Sequence, residues 1–289
     1  MTDRPSSNRR GSVLTMPDGT RIQVEDWLTG TAGPRRGALM IVHGLGEHFG
    51  RYGHVARSLN AIGFDVRGYD QRGFGRSDGA RGLIPYRDAL LDDAGRVFDD
   101  WAAERGVQPF LLGHSMGGAV AARAATGGWI APCGLILSSP AIAGRMSSTQ
   151  RLALGVGKRL LPDRAVASGL DASAVSRDPA VVADYLADPL NHGLISPRLA
   201  DFIVTAGPQS IAAAPSFDAP VLLLLGTADR LIDIGRARDF GAALPAGRLT
   251  LKVYEGLFHE LFNELPAERA RVLTDVNDWL IGQAGAPAG

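Results

Sequence analysis

The chain is almost without cysteine: Cys133 stands alone, so no intrachain disulfide and no thiolate metal cluster can brace it. Net charge is missing too, with 30 basic residues set against 30 acidic ones and no long Lys/Arg run. A protein that tracks phosphates needs a net basic surface to displace counterions, so nucleic acid is not an expected partner. No apolar run in the sequence approaches the roughly 18 residues of a membrane span. Residues 1–11 are polar and basic with no apolar stretch behind them, so no targeting segment is expected and a cytoplasmic protein is. A repeat of fixed period is absent as well, which sets aside solenoids and propellers. What the sequence does have is material for a core, 45% hydrophobic against 21% charged over 289 residues, enough for one large α/β domain with an insertion.

Residues 13–16 and 21–28 alternate in the manner of strands around the turn signal Pro17-Asp18-Gly19 and predict an N-terminal hairpin. Beyond it, short apolar runs at 38–43, 64–69 and 109–113 are separated by amphipathic stretches near 52–62 and 86–105, and a further helix starts from Ser115. Buried strands alternating with helices predict a mostly parallel sheet wrapped on both faces. Strands at 134–138, 221–225 and 248–254 continue it, and a helix over 266–281 closes the chain with Val272, Val276 and Leu280 at every fourth position. Between 141 and 212 strand punctuation gives way to helical pieces broken by Pro162, Pro179, Pro189, Pro197 and Pro208. The expected organisation is a core of 12–140 and 213–283, a helical lid inserted over 141–212 before the penultimate strands, and flexible ends at 1–11 and 284–289.

Gly113-His114-Ser115-Met116-Gly117 sits between an apolar run and a helix start, the setting in which G-x-S-x-G lifts a serine over a sheet edge. Small residues at 113 and 117 let strand and helix approach, and the free N–H of Met116 would face an oxyanion. The bland alternative is Ser115 as a helix N-cap in an inert connection. A serine needs a base, and the base needs an acceptor to hold its tautomer. Of six histidines, His43, His48, His54, His114, His192 and His259, only His259 follows the last strand, as the order serine, acid, histidine requires. Asp229, in the loop after 221–225, is the expected acid and Asp233 its rival; either one also reads as a solvated loop charge or a helix cap. A second oxyanion amide is expected from Leu45 in the Gly44–Gly46 turn, where neither phosphate-loop pattern occurs. Glu47 and Arg51, four apart, make an ion pair that shapes that loop.

His-Gly-Leu-Gly-Glu-His at 43–48, Tyr-Asp-Gln-Arg-Gly-Phe-Gly-Arg-Ser-Asp-Gly at 69–79, Gly-His-Ser-Met-Gly-Gly at 113–118, Gly-Thr-Ala-Asp-Arg-Leu-Ile-Asp at 226–233 and His-Glu-Leu-Phe-Asn-Glu at 259–264 resemble the monoacylglycerol lipase and lysophospholipase family of α/β-hydrolases. The likeness runs from about 37 to 280 and takes in Ser-Arg-Asp-Pro at 176–179 within the lid. It implies the α/β-hydrolase fold and cofactor-free, metal-free hydrolysis of acyl monoesters through an acyl-enzyme. By the resemblance Ser115 is the nucleophile, Asp229 the acid and His259 the base, with the amides of Leu45 and Met116 as oxyanion donors. Leu45 departs from the small residue often found there. Gly44, His114, Ile142, Leu154, Leu231 and Phe258 are candidates for substrate contact.

Ala141, Ile142, Leu152, Leu154, Val156, Leu160 and Leu161 form an apolar stripe that suits an acyl chain and equally suits packing on the domain beneath. Arg145, Lys158, Arg159 and Arg164 add a basic edge, read either as a weak membrane-surface contact through the lid or as a solvated helix face. An esterase for short-acyl, aryl or polyester-oligomer substrates, or an amidase or aminopeptidase, fits the same triad; a non-catalytic binding protein would have lost a triad member. Carboxylate-nucleophile chemistry is excluded by serine at 115, and His43 with His48 lacks the partners of a metal site. Oligomeric state leaves no trace in the sequence.

Overall fold

The fold is that of a computed structural model describing residues 8–30, 35–143 and 148–285, with residues 148–153 described by backbone alone. Along the first half run the strands β1 (Arg9–Thr15), β2 (Arg21–Trp27), β3 (Gly37–Val42), β4 (Phe64–Tyr69), β5 (Phe110–His114) and β6 (Leu135–Ser138). Two-residue strands β7 (Val166–Ala167) and β8 (Leu194–Ile195) pair only with each other, and β9 (Val221–Gly226) and β10 (Leu249–Tyr254) complete the set. The main sheet has eight strands in the order β1-β2-β4-β3-β5-β6-β9-β10. Pairing is antiparallel for β1·β2 and β2·β4 and parallel from β4 through to β10.

The central strands read as unbroken apolar runs because both faces are covered. On one face, Leu39, Ile41, Leu112, Ile136, Leu222 and Leu224 pack against α1 (Gly53–Ala61) and α8 (Pro266–Ala284). On the other, Met40, Val42, Leu111, Leu137, Leu223 and Leu225 meet α2 (Ala89–Arg105) and α3 (Met116–Thr126). The connection from β6 to β9 carries α4 (Ser148–Leu160), α5 (Pro179–Ala187) and α6 (Pro197–Ala213), and α7 (Ile234–Ala243) joins β9 to β10. Among the described residues no helix is long and apolar enough to cross a membrane.

Three expectations need correction. Residues 9–11, assigned to a flexible end, are strand: Arg9 bonds Glu25 at 2.6 Å, and Arg10 bonds both Asp26 and, at 2.5 Å, Glu104. Helix α8 likewise runs to Ala284, while 1–7 and 286–289 lie outside the described residues. Within the 141–212 connection, Pro208 does not break a helix but sits inside α6. Burial of Leu199, Phe202 and Ala206 in the core outweighs the roughly 3 kcal/mol that an internal proline costs. Pro179 and Pro197 instead open α5 and α6, where a missing N–H costs nothing. Third, the connection is not free of strands, since β7 and β8 pair there.

Candidate active site

Strand β5 is fully buried, and the chain reverses sharply after it. Ser115 takes φ 54°, ψ −120°, and among the described non-glycine residues only Ser139 shares a positive φ. Such a backbone persists only where its surroundings enforce it. The Ser115 N–H donates to the Ser138 carbonyl at 3.1 Å, and the Ser115 carbonyl accepts from Ala141 at 2.9 Å and Ala119 at 3.1 Å. A Cβ at Gly117 would stand 2.2 Å from the Val42 carbonyl oxygen, and one at Gly113 would stand 2.3 Å from the Gly117 oxygen. Even alanine at either position would force strand and helix apart. Met116 opens α3, so its amide belongs to the first turn, whose N–H groups have no intrahelical acceptor.

Strands β9 and β10 end side by side, with Gly226 paired to Tyr254, and each leads into a loop carrying one polar side chain to the same spot. His259 Nδ1 lies 2.7 Å from Asp229 Oδ2. Asp229 Oδ1 accepts from the amides of Leu231 at 2.8 Å and Ile232 at 3.2 Å, so both carboxylate oxygens are committed. Burial pushes the Asp229 pKa up, but the His259 hydrogen bond and charge and these two amides outweigh it and hold the carboxyl below its ordinary value. An ionised Asp229 accepts the Nδ1 proton and leaves the lone pair of His259 on Nε2. The rival Asp233 is exposed and caps α7 through Gly235 N at 2.9 Å.

Ser115 and His259 line one cavity of about 340 Å³ together with Leu45 and Met116. Ala141, Ile203, Leu231 and Ile232 form its apolar wall, and residues 168–171 with Arg230 form the rest. Of the expected substrate contacts, Leu231 lines this space. Gly44 stands beside the serine, where a Cβ would be 3.2 Å from Ser115 Cβ. The ring of His114 lies 4.9 Å from that of His259. Ile142 is buried in the core, Leu154 is half-buried on α4, and Phe258 sits under the Arg230 guanidinium, which is 5.1 Å from its ring. Arg145 and the side chain of Leu152 lie outside the described residues. Ile203 and residues 168–171 were not foreseen, because the path of a long irregular connection leaves no periodic signal.

Nor was the extent of the charged network beneath the first loop. Arg51 bonds Glu47 at 2.5 Å, as its spacing predicts, but it also forks onto both oxygens of Glu260, each at 2.7 Å. Glu47 further accepts the Gly44 N–H at 2.6 Å and the Tyr52 hydroxyl at 2.7 Å. Burial raises the Glu47 pKa, yet Arg51 first and then His114, His43 and Tyr52 overcome this and bring it down to about 2. Burial, then the neighbouring His259, push His114 down to about 4, so it is neutral at ordinary pH. Among the described residues no group of three or more His, Cys, Asp or Glu is arranged to hold a metal ion.

The Hydrolase_4 family, described as serine aminopeptidase, S33, matches residues 33–266. The monoacylglycerol lipase of Mycolicibacterium smegmatis is 34% identical over 281 residues, covering 96% of this chain and 98% of that one. The crystal structure of the Paleococcus ferrophilus monoacylglycerol lipase superposes with a TM-score of 0.82 at 33% identity, over 91% of this chain and 99% of that one. A soluble variant of the Saccharomyces cerevisiae monoglyceride lipase, in complex with a substrate analog, shares the fold with a TM-score of 0.89 at 21% identity, over 99% of each chain. An eight-stranded, mostly parallel sheet, a serine at a strained turn and full-length likeness at this level together place the chain in the Hydrolase_4 family of α/β-hydrolases, as a monoacylglycerol lipase-like carboxylic ester hydrolase.

Proposed function

We propose that Ser115 is the nucleophile of a lipase acting on monoacylglycerols or closely similar acyl monoesters, with His259 as base and Asp229 as its orienter. The observation that carries this reading is the 2.7 Å His259–Asp229 bond beside a cavity that also exposes Ser115. Nε2 of His259 takes the Ser115 hydroxyl proton as Oγ bonds to the ester carbonyl carbon. The resulting oxyanion is received by the main-chain N–H groups of Leu45 and Met116. Collapse breaks the bond to the alcohol oxygen, which leaves with the proton held on Nε2. Water, deprotonated by the same nitrogen, then releases the fatty acid and restores the serine.

The substrate class rests on the relatives and on the cavity wall, where Ala141, Ile203, Leu231 and Ile232 suit a hydrocarbon chain. The connection between β6 and β9 is assigned the role of a lid, and its outward-facing Leu160 and Leu186, 72% and 69% exposed, are the residues that would meet a lipid surface. The name of the matching family favours a second reading, aminopeptidase action, because the triad handles esters and amides through the same tetrahedral charge. Two measurements test the proposal. A fluorophosphonate should add to the intact protein once, with the modified peptide containing Ser115; labelling elsewhere overturns the site. Specificity constants on monoacylglycerols, p-nitrophenyl esters and aminoacyl amides should rank the first highest; amides ranking first overturns the substrate class.

A further inference from the structure

His43 is a fully buried histidine that the proposed reaction does not use, and its two ring nitrogens are both engaged. The main-chain N–H of Gln71 donates to Nε2 at 2.9 Å. A backbone amide is a donor only, so Nε2 must carry a lone pair and the ring proton must reside on Nδ1. Nδ1 stands 2.8 Å from the Gly44 carbonyl oxygen, an acceptor only, to which that proton is donated. The tautomer is thus fixed by two main-chain groups without reference to solvent. Burial lowers the pKa of the ring and favours the same neutral form.

The Gly44 carbonyl and the Leu45 N–H belong to one peptide unit. That unit is trans, since the described chain contains no cis peptide, and a trans unit points its C=O and N–H in opposite directions within one plane. Fixing the oxygen therefore fixes the direction of the N–H. The unit before it is tied as well, because the Gly44 N–H donates to Glu47 at 2.6 Å. On the far side, the Gly46 carbonyl accepts from the His192 amide at 3.0 Å. Against Ser115 the loop is close enough that a Cβ on Gly44 would make 3.2 Å contact with Ser115 Cβ.

We infer that His43 is a positioning residue, whose Nδ1–H grips the Gly44 carbonyl and thereby aims the Leu45 N–H at the oxyanion formed on Ser115's substrate. This rests on the assignment of Leu45 as an oxyanion donor. His43 itself touches neither substrate nor the reacting atoms; it removes the freedom of the 44–45 peptide to rotate, so the amide is aimed before the charge develops.

Three substitutions separate this role from mere packing. His43→Asn keeps a side-chain N–H near the place of Nδ1, His43→Gln moves its amide out toward Nε2, and His43→Ala removes both. Turnover is normalised to the sites that a fluorophosphonate labels, so partial misfolding does not count as lost catalysis. His43→Ala and His43→Gln should lower kcat about 10- to 100-fold, less than outright loss of an oxyanion donor, with KM little changed. His43→Asn should recover most of that loss, and the affinity of an alkyl boronic acid should fall in step with kcat/KM across the series. Equal losses in His43→Asn and His43→Gln, or a loss confined to KM, overturn the inference. Nitrogen-15 NMR of the histidine rings in the unsubstituted protein gives a test that needs no variant to fold: His43 should be neutral and protonated on Nδ1, and an Nε2–H form overturns the inference. Failure of the reagent to label Ser115 in that same protein would instead sink the proposed function, so the two failures are distinct.

Discussion

The sheet edge and the connection between β6 and β9 enclose the same cavity but are built by opposite means. At the edge the buried carboxylates each hold several partners: Asp229 holds His259 and two amides, and Glu47 holds Gly44, Tyr52 and Arg51. In the connection, exposed apolar side chains stand beside surface ion pairs such as Lys158–Asp201 at 2.7 Å and Arg198–Asp163 at 2.8 Å. Pairs of that kind are worth little in water. The contrast teaches that the proposed reaction has its groups anchored where the backbone is over-determined, and on that proposal substrate choice falls to the connection, whose surface is less constrained.

The sharpest way to test that division is to remove the chemistry without touching the packing. Ser115→Ala should abolish turnover by several orders of magnitude while the melting temperature stays close to that of the unsubstituted protein, since a triad acts as a unit. A modest loss of rate would show that the edge is not the seat of the reaction. Asp229→Asn should follow with a drop in kcat on the order of 10⁴-fold, because an amide at that position favours the wrong imidazole tautomer. Single-turnover kinetics on a chromogenic ester would measure it.

The edge should also differ from the connection in its response to acid. Glu47 is held down to about 2 from an ordinary 4.5, so its share of stability is complete above the ordinary value and is lost as pH falls through the lower one. Glu47→Gln should therefore lower the melting temperature near neutral pH, and the gap to the unsubstituted protein should close as pH approaches about 2. A gap that stays constant with pH would mean the carboxylate contributes shape alone. The smallest effect is expected in the connection. Leu160→Ser with Leu186→Ser should leave kcat/KM on a water-soluble ester unchanged and reduce activity on vesicle-borne monoacylglycerol a few-fold. Equal loss on both substrates would show that these side chains support the fold rather than meet lipid.

Legibility in the sequence divides along the same line. The central strands could be read because they are short apolar runs bounded by glycine or polar residues, as in residues 221–226 before Thr227. Ser115 could be singled out as the candidate nucleophile because sterics demand small residues at 113 and 117, and Asp229 and His259 as its candidate partners because chain order in this fold restricts the choice. Glu260 as the second partner of Arg51 could not be found, since 209 residues separate them and no local pattern couples them. Residues 168–171 and Ile203 escaped for a related reason: what places them at the cavity is the tertiary course of the connection, not a repeat along it. The start of β1 at Arg9 was hidden because pairing through arginine and carboxylate leaves no alternation to recognise.

Helix α6 has an implication for how such proteins diversify. Parallel strands oblige the chain leaving β6 to travel back along the whole sheet before β9 can begin, and α6 makes that journey packed on α3, with Gly207 pressed against the Ile142 carbonyl. Architecture therefore fixes this last stretch of the connection, while the portion up to Ser196 carries no such duty. A module grafted between Ile142 and Pro197 would leave Ser115, Asp229 and His259 on their own strand ends, but it would have to resupply what this stretch gives the sheet edge, the His192 N–H on the Gly46 carbonyl and the Val175 carbonyl under the Glu260 N–H; a graft that also replaced α6 would have to rebuild the domain.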